Sequence, residues 1–416
     1  MSKSGRSLLD WLPLNRTELG LLLAIVLVFV LAGTIDPQHT YFDFSARRGA
    51  ELSFKDILRQ TSMLGIFALG SAVVIISGGI DLSCGSVIAF SGSVCATLML
   101  LMAPEAMTAG SELSLGVIAA AIVGTVLVGF LIGSLHAWLI TVIGLPPFVA
   151  TLATLVGLRS LGRSIIERVT DRMLDGTSTQ IQIFDDRFRY LATSIWIPAL
   201  IFAVLAVLFW LLLSRTVTGR HLYALGGNEQ AAHLSGISTT RLKWLAYTLG
   251  AVTSSIAGIL YIGDQAVADP QTLGRGYELN AIAAAVVGGC SLQGGVGTIP
   301  GTVLGVIFLR TVIDGIAKII KTGADVYEGL IVGILVVVAV AFNQLRTAGS
   351  GRKRFFADAL GIVAGVTLVI LSALVCWLMA GDTPGVIGGT LALAAIVVLK
   401  LLEARAARRG QSDAGR

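Results

Sequence analysis

The run LGLLLAIVLVFVLAGTI, Leu19–Ile35, contains no charged residue and no proline, and Thr34 is its one polar side chain. Wound as a helix rising about 1.5 Å per residue, it nearly spans a hydrocarbon core about 30 Å thick. A basic leader with Lys3, Arg6 and Arg16 precedes it. Leader plus apolar run also fits a cleaved signal peptide. However, no A-x-A-like site follows, and further apolar runs come soon after.

Comparable runs fall at 57–77, 84–103, 115–143, 145–163, 194–214, 244–263, 277–290, 300–319, 327–345, 357–380 and 385–402. The piece at 277–290 is too short to cross a bilayer alone. The expected fold is an all-α polytopic membrane bundle of about 10–12 transmembrane helices, broken at two GG-rich motifs. Composition agrees. Of 416 residues, 55% are hydrophobic and 13% charged, against about 25% charged in soluble domains. The 49 glycines suit helices that pack closely in lipid.

The net charge of +5 implies membrane orientation, not a nucleic-acid partner, because the basic residues cluster between apolar runs. With the N-terminus cytoplasmic, the cytoplasmic segments hold Arg215, Arg220, Arg241, Lys243, Arg346, Arg352, Lys353 and Arg354. They also hold a tail with Lys400, Arg405, Arg408, Arg409 and Arg416. The opposite loop at 104–114 has Glu105 and Glu112 but no Lys or Arg, the loop at 264–276 has Arg275 alone, and the longer external loop at 166–193 has mixed charge, with Glu167, Asp171, Asp175, Asp185 and Asp186 against Arg168, Arg172, Arg187 and Arg189. An even number of crossings with both ends inside follows. The expected layout is a leader at 1–18, a core at 19–345, a basic loop with a helix pair at 346–402, and a basic tail at 403–416.

Two segments interrupt the apolar pattern in a related way: Ser77–Ser86, SGGIDLSCGS, and Gly288–Thr298, GGCSLQGGVGT, the latter followed by Pro300-Gly301. Both share GG-x-x-L. Gly78 and Gly79, or Gly288 and Gly289, are expected to end one helix, with Gly294 and Gly295 extending the second break. Asp81, Ser83 or Ser86 is expected to cap the helix after the first. Irregular backbone near a bilayer is tolerated only where protein or a water-filled cavity satisfies it, and helices broken in both halves point to a transporter's path. Both breaks lie on one side of the topology, so the form of internal symmetry stays open.

A third segment, TGRHLYALGGNEQAAHLSGI (218–237), joins two spans. Asn228, after Gly227, is placed to cap a helix that opens with Glu229 and that Gly236 ends. Such a helix is a docking peg presenting Ala231, Ala232 and Leu234. Within the spans, Arg310 and Asp314 are expected to neutralise each other at i,i+4, and Arg159 and Arg163 to snorkel to a surface. Cys84, Cys95, Cys290 and Cys376 form no C-x-x-C pair and have no His at ligand spacing, so no metal, cofactor or catalytic set is expected. No loop is long enough to house an ATPase, and no G-x-x-x-x-G-K-[ST] occurs.

These segments resemble the permease subunits of the ribose/xylose/galactoside class of bacterial ABC importers. GGIDLSCGS is similar to that family's GGIDLS-V-GS, with Cys84 where valine is usual. YALGGNEQAAHLSGIS resembles its cytoplasmic loop, Ala231-Ala232-x-x-x-Gly236 resembles the EAA-type coupling motif, and Gly276–Gly289 resembles a GYELDAIAA block. The resemblance covers about 57–345. Asn280 departs from the usual acid, and Val296 from a common basic residue. The helices after about 357 exceed the ten-helix core of ribose-type proteins; a xylose-type permease is one home for them.

The resemblance implies that two copies form an inner-membrane pore, each with a coupling helix docked on a separate cytoplasmic ATPase, while a periplasmic binding protein delivers the sugar. The implied coupling residues are Gly227, Asn228, Glu229, Ala231, Ala232 and Gly236. A secondary transporter coupled to protons or sodium is the rival class. It needs acids at the midplane, where Asp81 is the one candidate near a break.

Overall fold

The computed structural model describes residues 16–36, 41–42, 50–174, 176–319, 328–337, 340, 363, 365–374, 386–398 and 400. The leader before Arg16, the basic loop at 346–356, Cys376 and the tail after 402 lie outside these residues. Among the described residues, the elements run α1 (Arg16–Ile35), α2 (Ala50–Ile76), α3 (Cys84–Met102), α4 (Pro104–Ala109), α5 (Leu115–Thr141), α6 (Pro147–Met173), β1 (Ile181–Gln182), α7 (Asp186–Thr193), α8 (Trp196–Arg215), α9 (Val217–Gly227), α10 (Glu229–Leu234), α11 (Thr239–Gln265), β2 (Val267–Ala268), α12 (Tyr277–Val287) and α13 (Ile299–Ile319).

Eight of these helices are long and apolar enough to cross a membrane: α1, α2, α3, α5, α6, α8, α11 and α13. The chain is therefore a polytopic helical membrane protein. The segment expected at 277–290 is the 11-residue α12, about 16 Å long at 1.5 Å per residue and half the depth of the hydrocarbon. Expected spans at 327–345, 357–380 and 385–402 are described only as the shorter apolar stretches Glu328–Val337, Gly365–Leu374 and Val386–Val398. α6 continues ten residues past the expected end at 163, because its last turns are charged and escape an apolar window.

α2, α3 and α11 form the buried centre, and α1, α5, α6 and α8 lie outside with mostly exposed faces. Small residues let the helices approach. A Cβ on Gly133 of α5 would stand 2.5 Å from Thr248 Cα of α11. Ser91 of α3 meets Ser255 of α11 through a 3.0 Å hydroxyl contact. Both are devices of helix packing in lipid, where no hydrophobic force drives helices together.

At one end of the bundle β1 and β2 pair antiparallel, and Asp185 orders α7. Its carboxylate accepts from Phe188 N (2.6 Å) and from Leu113 N (2.6 Å). α9 and α10 lie at the other end, where α8 finishes and α11 begins. Residues Met1–Gln344 form one compact unit and Leu345–Arg416 another. Within the second, Ser372 Oγ donates to Gly388 O at 3.1 Å, joining its two described helices.

Candidate translocation path and coupling site

α2 ends in a Schellman cap. Gly78 (φ +83°) is the left-handed residue, Gly79 N donates to Val74 O and Gly78 N to Ile75 O, both at 2.9 Å. The chain then folds back along α2, so that a Cβ on Gly79 would stand 2.5 Å from the Tyr247 hydroxyl of α11. Asp81 is buried there. It does not cap α3, as expected of it, of Ser83 or of Ser86; the N-cap Ser83 makes no side-chain cap bond. Asp81 instead accepts from Ser83 N (2.8 Å) and Ser83 Oγ (2.5 Å). A side chain two residues upstream reaches the Ser83 amide before any amide inside the helix. Ser86 Oγ donates to Ser83 O at 2.8 Å.

The second break uses the same cap one residue later. Gly289 (φ +97°) is the left-handed residue, with Cys290 N donating to Ala285 O and Gly289 N to Val286 O at 2.9 Å each. Gly288 is thus the last helical step of α12, whereas Gly78 is itself the left-handed residue, so the two GG pairs are not in register. Gly294 and Gly295 also have positive φ. Thr298 opens α13 by accepting from Gly301 N (3.0 Å), and donates to Glu18 of α1 (2.8 Å).

The segment 218–237 forms much as its residues dictate. Asn228 Oδ1 accepts from Ala231 N at 2.9 Å, and α10 follows with six residues. Gly236 (φ +80°) closes it through Ile237 N to Ala232 O at 3.1 Å. Two expectations change. Ala232 is buried, because successive residues turn by about 100° and only Ala231 and Leu234 share the outer face. Glu229 is tied back to Lys243 of α11 at 2.6 Å. Leu234 is 87% exposed. It borders a hollow of about 710 Å³ lined by Asn228, Glu229, Gln230, His233 and Thr239.

Both breaks and the α9–α10 junction meet at one point. Gly295 N donates to Ile76 O at 2.9 Å. A Cβ on Gly226 would overlap that same Ile76 oxygen and stand 2.5 Å from Gly295 N. One on Gly294 would be 2.7 Å from Gly78 Cα and 2.6 Å from Gly226 O. Tyr223 of α9 donates to Gly297 O at 2.8 Å; burial, and behind it nearby Cys290, pushes its phenol up. Four short backbone stretches thus touch without intervening side chains: the end of α2, the first break, the end of α9 and the second break. Gly226 and Tyr223 were not among the expected site residues. The GG pair at 226–227 was visible, but its contact with Ile76 was not.

The segment 269–276, between β2 and α12, enters the bundle from the opposite end. Arg159, thirteenth of the 27 residues of α6, donates to Pro270 O (3.0 Å), Leu273 O (2.9 Å) and Gly274 O (3.1 Å). The expectation that Arg159 snorkels is therefore wrong. It satisfies backbone that bilayer depth would otherwise leave unpaired. α12 starts there, with the Glu278 carboxylate beside Gly85 of α3. Asn280, where the resemblance expects an acid, donates to Glu328 at 3.0 Å. The Arg310–Asp314 pair does not form. Asp314 accepts from Lys318 (2.6 Å), one turn further on, and from Tyr41, and the buried Nε of Arg310 has no hydrogen-bond partner among the described residues.

Among the described residues, no group of three or more His, Cys, Asp or Glu could hold a metal, and Cys84, Cys95 and Cys290 are buried free thiols. What the arrangement offers is mechanical: a capped peg outside, rigidly joined to the two helix breaks.

Residues 53–340 match the family described as "Branched-chain amino acid transport system / permease component". The chain is 33% identical over 331 residues to the ribose import permease protein of Bacillus subtilis, covering 80% of this chain and 94% of that protein. It is 34% identical over 342 residues to a probable ABC transporter permease protein of Sinorhizobium fredii, 81% and 92% of the two chains. It is 32% identical over 326 residues to the galactose/methyl galactoside import permease protein of Escherichia coli, 78% and 94%. No solved structure matches the chain. A match spanning 53–340, with relatives aligned along more than nine-tenths of their own length, makes this chain a member of that permease-component family.

Proposed function

We propose that the chain is the membrane subunit of an ATP-driven importer that passes a monosaccharide, a pentose or a hexose, delivered by a periplasmic binding protein. Two copies form the pore, and each rests α10 on a separate ATPase. The family supports an importer. The ribose and galactoside permeases among the relatives support a sugar over a branched-chain amino acid, although the family description mentions the latter.

One observation carries the coupling role: α10 bears an exposed leucine, 87% accessible, on a peg whose base is the glycine junction. A leucine so exposed at the tip of the peg is available to a partner surface. ATP closing a pair of ATPases shifts the pore only if the closed pair binds one pore state better than the other, and α10 is where that difference is transmitted. The basic residues Arg215, Arg220, Arg241 and Lys243 around α9 and α10 are compatible with a cytoplasmic position for this end.

The test is transport by vesicles holding the permease, its ATPase and its binding protein, presented with ribose, xylose, galactose and leucine. Leu234→Arg is expected to abolish ATPase co-purification and uptake while the chain still inserts. Uptake that persists without any ATPase overturns the reading, and uptake of leucine alone overturns the sugar.

A further inference from the structure

The last turns of α5 and the first turns of α11 enclose a second hollow, of about 370 Å³, at the α10 end of the bundle. Ala137, Trp138, Thr141 and Val142 face Arg241 and Trp244 across it. The walls are apolar apart from a few hydroxyls and the guanidinium, and no acidic residue lines them. The Trp244 ring is held in place by protein alone. Its Nε1 donates to Ser134 Oγ at 3.2 Å, and Phe130 meets it edge to face with ring centroids 5.5 Å apart. Trp138 is half exposed at the rim. Arg241 is exposed and makes no hydrogen bond or ion pair among the described residues.

Depth matches these side chains to the layers of a bilayer. α5 and α11 each run 27 residues, about 40 Å at 1.5 Å per residue against about 30 Å of hydrocarbon, so both overrun it. Trp138 lies just before the end of α5 and Trp244 just after the start of α11, at the level where tryptophan collects in membranes. Arg241 is nearly one turn closer to the helix end, at the level of the headgroups. The exposed residues of α5 that lead to the hollow, Leu131, Leu135, Trp138 and Val142, are large, whereas helix seams in lipid are built on small ones. The natural neighbour of this face is therefore lipid and not a second helix. A volume of about 370 Å³ is that of a small ligand cleft, and takes a stretch of one acyl chain.

We propose that this hollow binds one phospholipid of the leaflet at the α10 end, seating part of an acyl chain between Trp138 and Trp244 while Arg241 holds the phosphodiester. With a cation and no carboxylate at the rim, the site prefers an anionic phospholipid, whose headgroup brings no positive charge beside its phosphate. The site requires membrane residence alone, whatever solute the chain carries.

The test is native mass spectrometry of the full-length chain in detergent, titrated with dioleoyl phosphatidylglycerol or dioleoyl phosphatidylcholine. One basic group at a membrane surface is worth about fivefold in affinity. One phosphatidylglycerol is expected to be retained more tightly than phosphatidylcholine by at least that factor. Arg241→Gln should lose the preference, and Arg241→Lys should keep most of it. Arg215→Gln is the control: this cation already lies over the Trp210 ring, 5.5 Å from its centroid, and its loss should leave the tight phosphatidylglycerol in place. Thr141→Phe fills the hollow without touching the charge, and should weaken both lipids. Either R241Q or T141F decides alone if the other fails to fold. Equal retention of the two lipids, or R241Q and R215Q weakening them alike, overturns the headgroup contact. T141F binding as tightly as the unaltered chain overturns the hollow as the acyl seat. Displacement of phosphatidylglycerol by soluble glycerol phosphate makes the ligand a free phosphate ester and overturns the lipid. Paired chains that retain no lipid put a second copy in the hollow, which also overturns it.

Discussion

Gly226→Ala is a stringent test of the glycine junction, because its neighbour supplies the control. The new Cβ of G226A would overlap the Ile76 carbonyl oxygen and sit 2.5 Å from Gly295 N. Both are backbone atoms joined by the 2.9 Å Gly295–Ile76 hydrogen bond, so no rotamer can make room. Overpacking of this kind costs about 1–3 kcal/mol, and stretching that hydrogen bond adds about 1 kcal/mol. Gly226 itself has no positive φ, so none of the cost comes from backbone conformation. Gly227, next along the helix, has no atom within 4 Å of where its Cβ would be. There alanine should leave stability unchanged or raise it by up to about 1 kcal/mol. The assay is unfolding of both variants in mixed micelles, followed by tryptophan fluorescence. A separation of about 2 kcal/mol, some thirtyfold in the folded-to-unfolded ratio, is expected, with G226A the weaker. G226A and G227A unfolding together would show that Gly226 does not touch Ile76 and Gly295 as described.

Arg159→Met removes three donors to Pro270, Leu273 and Gly274. At about 1.5–3 kcal/mol for each charge-assisted bond, the same unfolding assay should register a loss of at least about 3 kcal/mol, with Arg159→Lys recovering only part. Asp185→Ala strips the α7 cap and the acceptor of Leu113 N; a loss of about 2 kcal/mol is expected, seen as faster cleavage of the 174–186 loop by added protease. Glu229→Gln breaks an ion pair in which Glu229 is half exposed and should cost less than about 1 kcal/mol. A fall in ATP-driven uptake by E229Q with unchanged unfolding therefore places Glu229 in coupling, and equal falls in both refute that.

The spans that cross a membrane were legible because a bilayer demands an apolar run of fixed length, as LGLLLAIVLVFVLAGTI and the runs comparable to it supply. Helix ends were legible where glycine must take positive φ, as at Gly78, Gly236 and Gly289. Local reading failed wherever the partner is distant in sequence. Arg159 finds its acceptors 111–115 residues away, and no spacing rule connects Arg159 to Pro270. Asp314 had two basic residues one turn away, Arg310 and Lys318, and sequence gives no ground for preferring Lys318. The GG pairs looked alike, yet one puts its first glycine in the left-handed position and the other its second. The pairing of β1 with β2 joins residues too few to leave an alternation. The junction at Gly226 is a meeting of backbones, which side-chain patterns cannot announce.

The arginine that holds the segment 269–276 also has a bearing on how the chain is made. Neither that segment nor the 11-residue α12 is apolar and long enough to be inserted as an independent crossing. They can settle only against helices already in place, and α6, carrying Arg159, is synthesised more than a hundred residues earlier. α6 is thus synthesised before the segment whose backbone Arg159 holds. A defect at Arg159 would leave the upstream helices inserted, while the segment leading into α12 waits, exposed to quality-control proteases, for a seat that never forms.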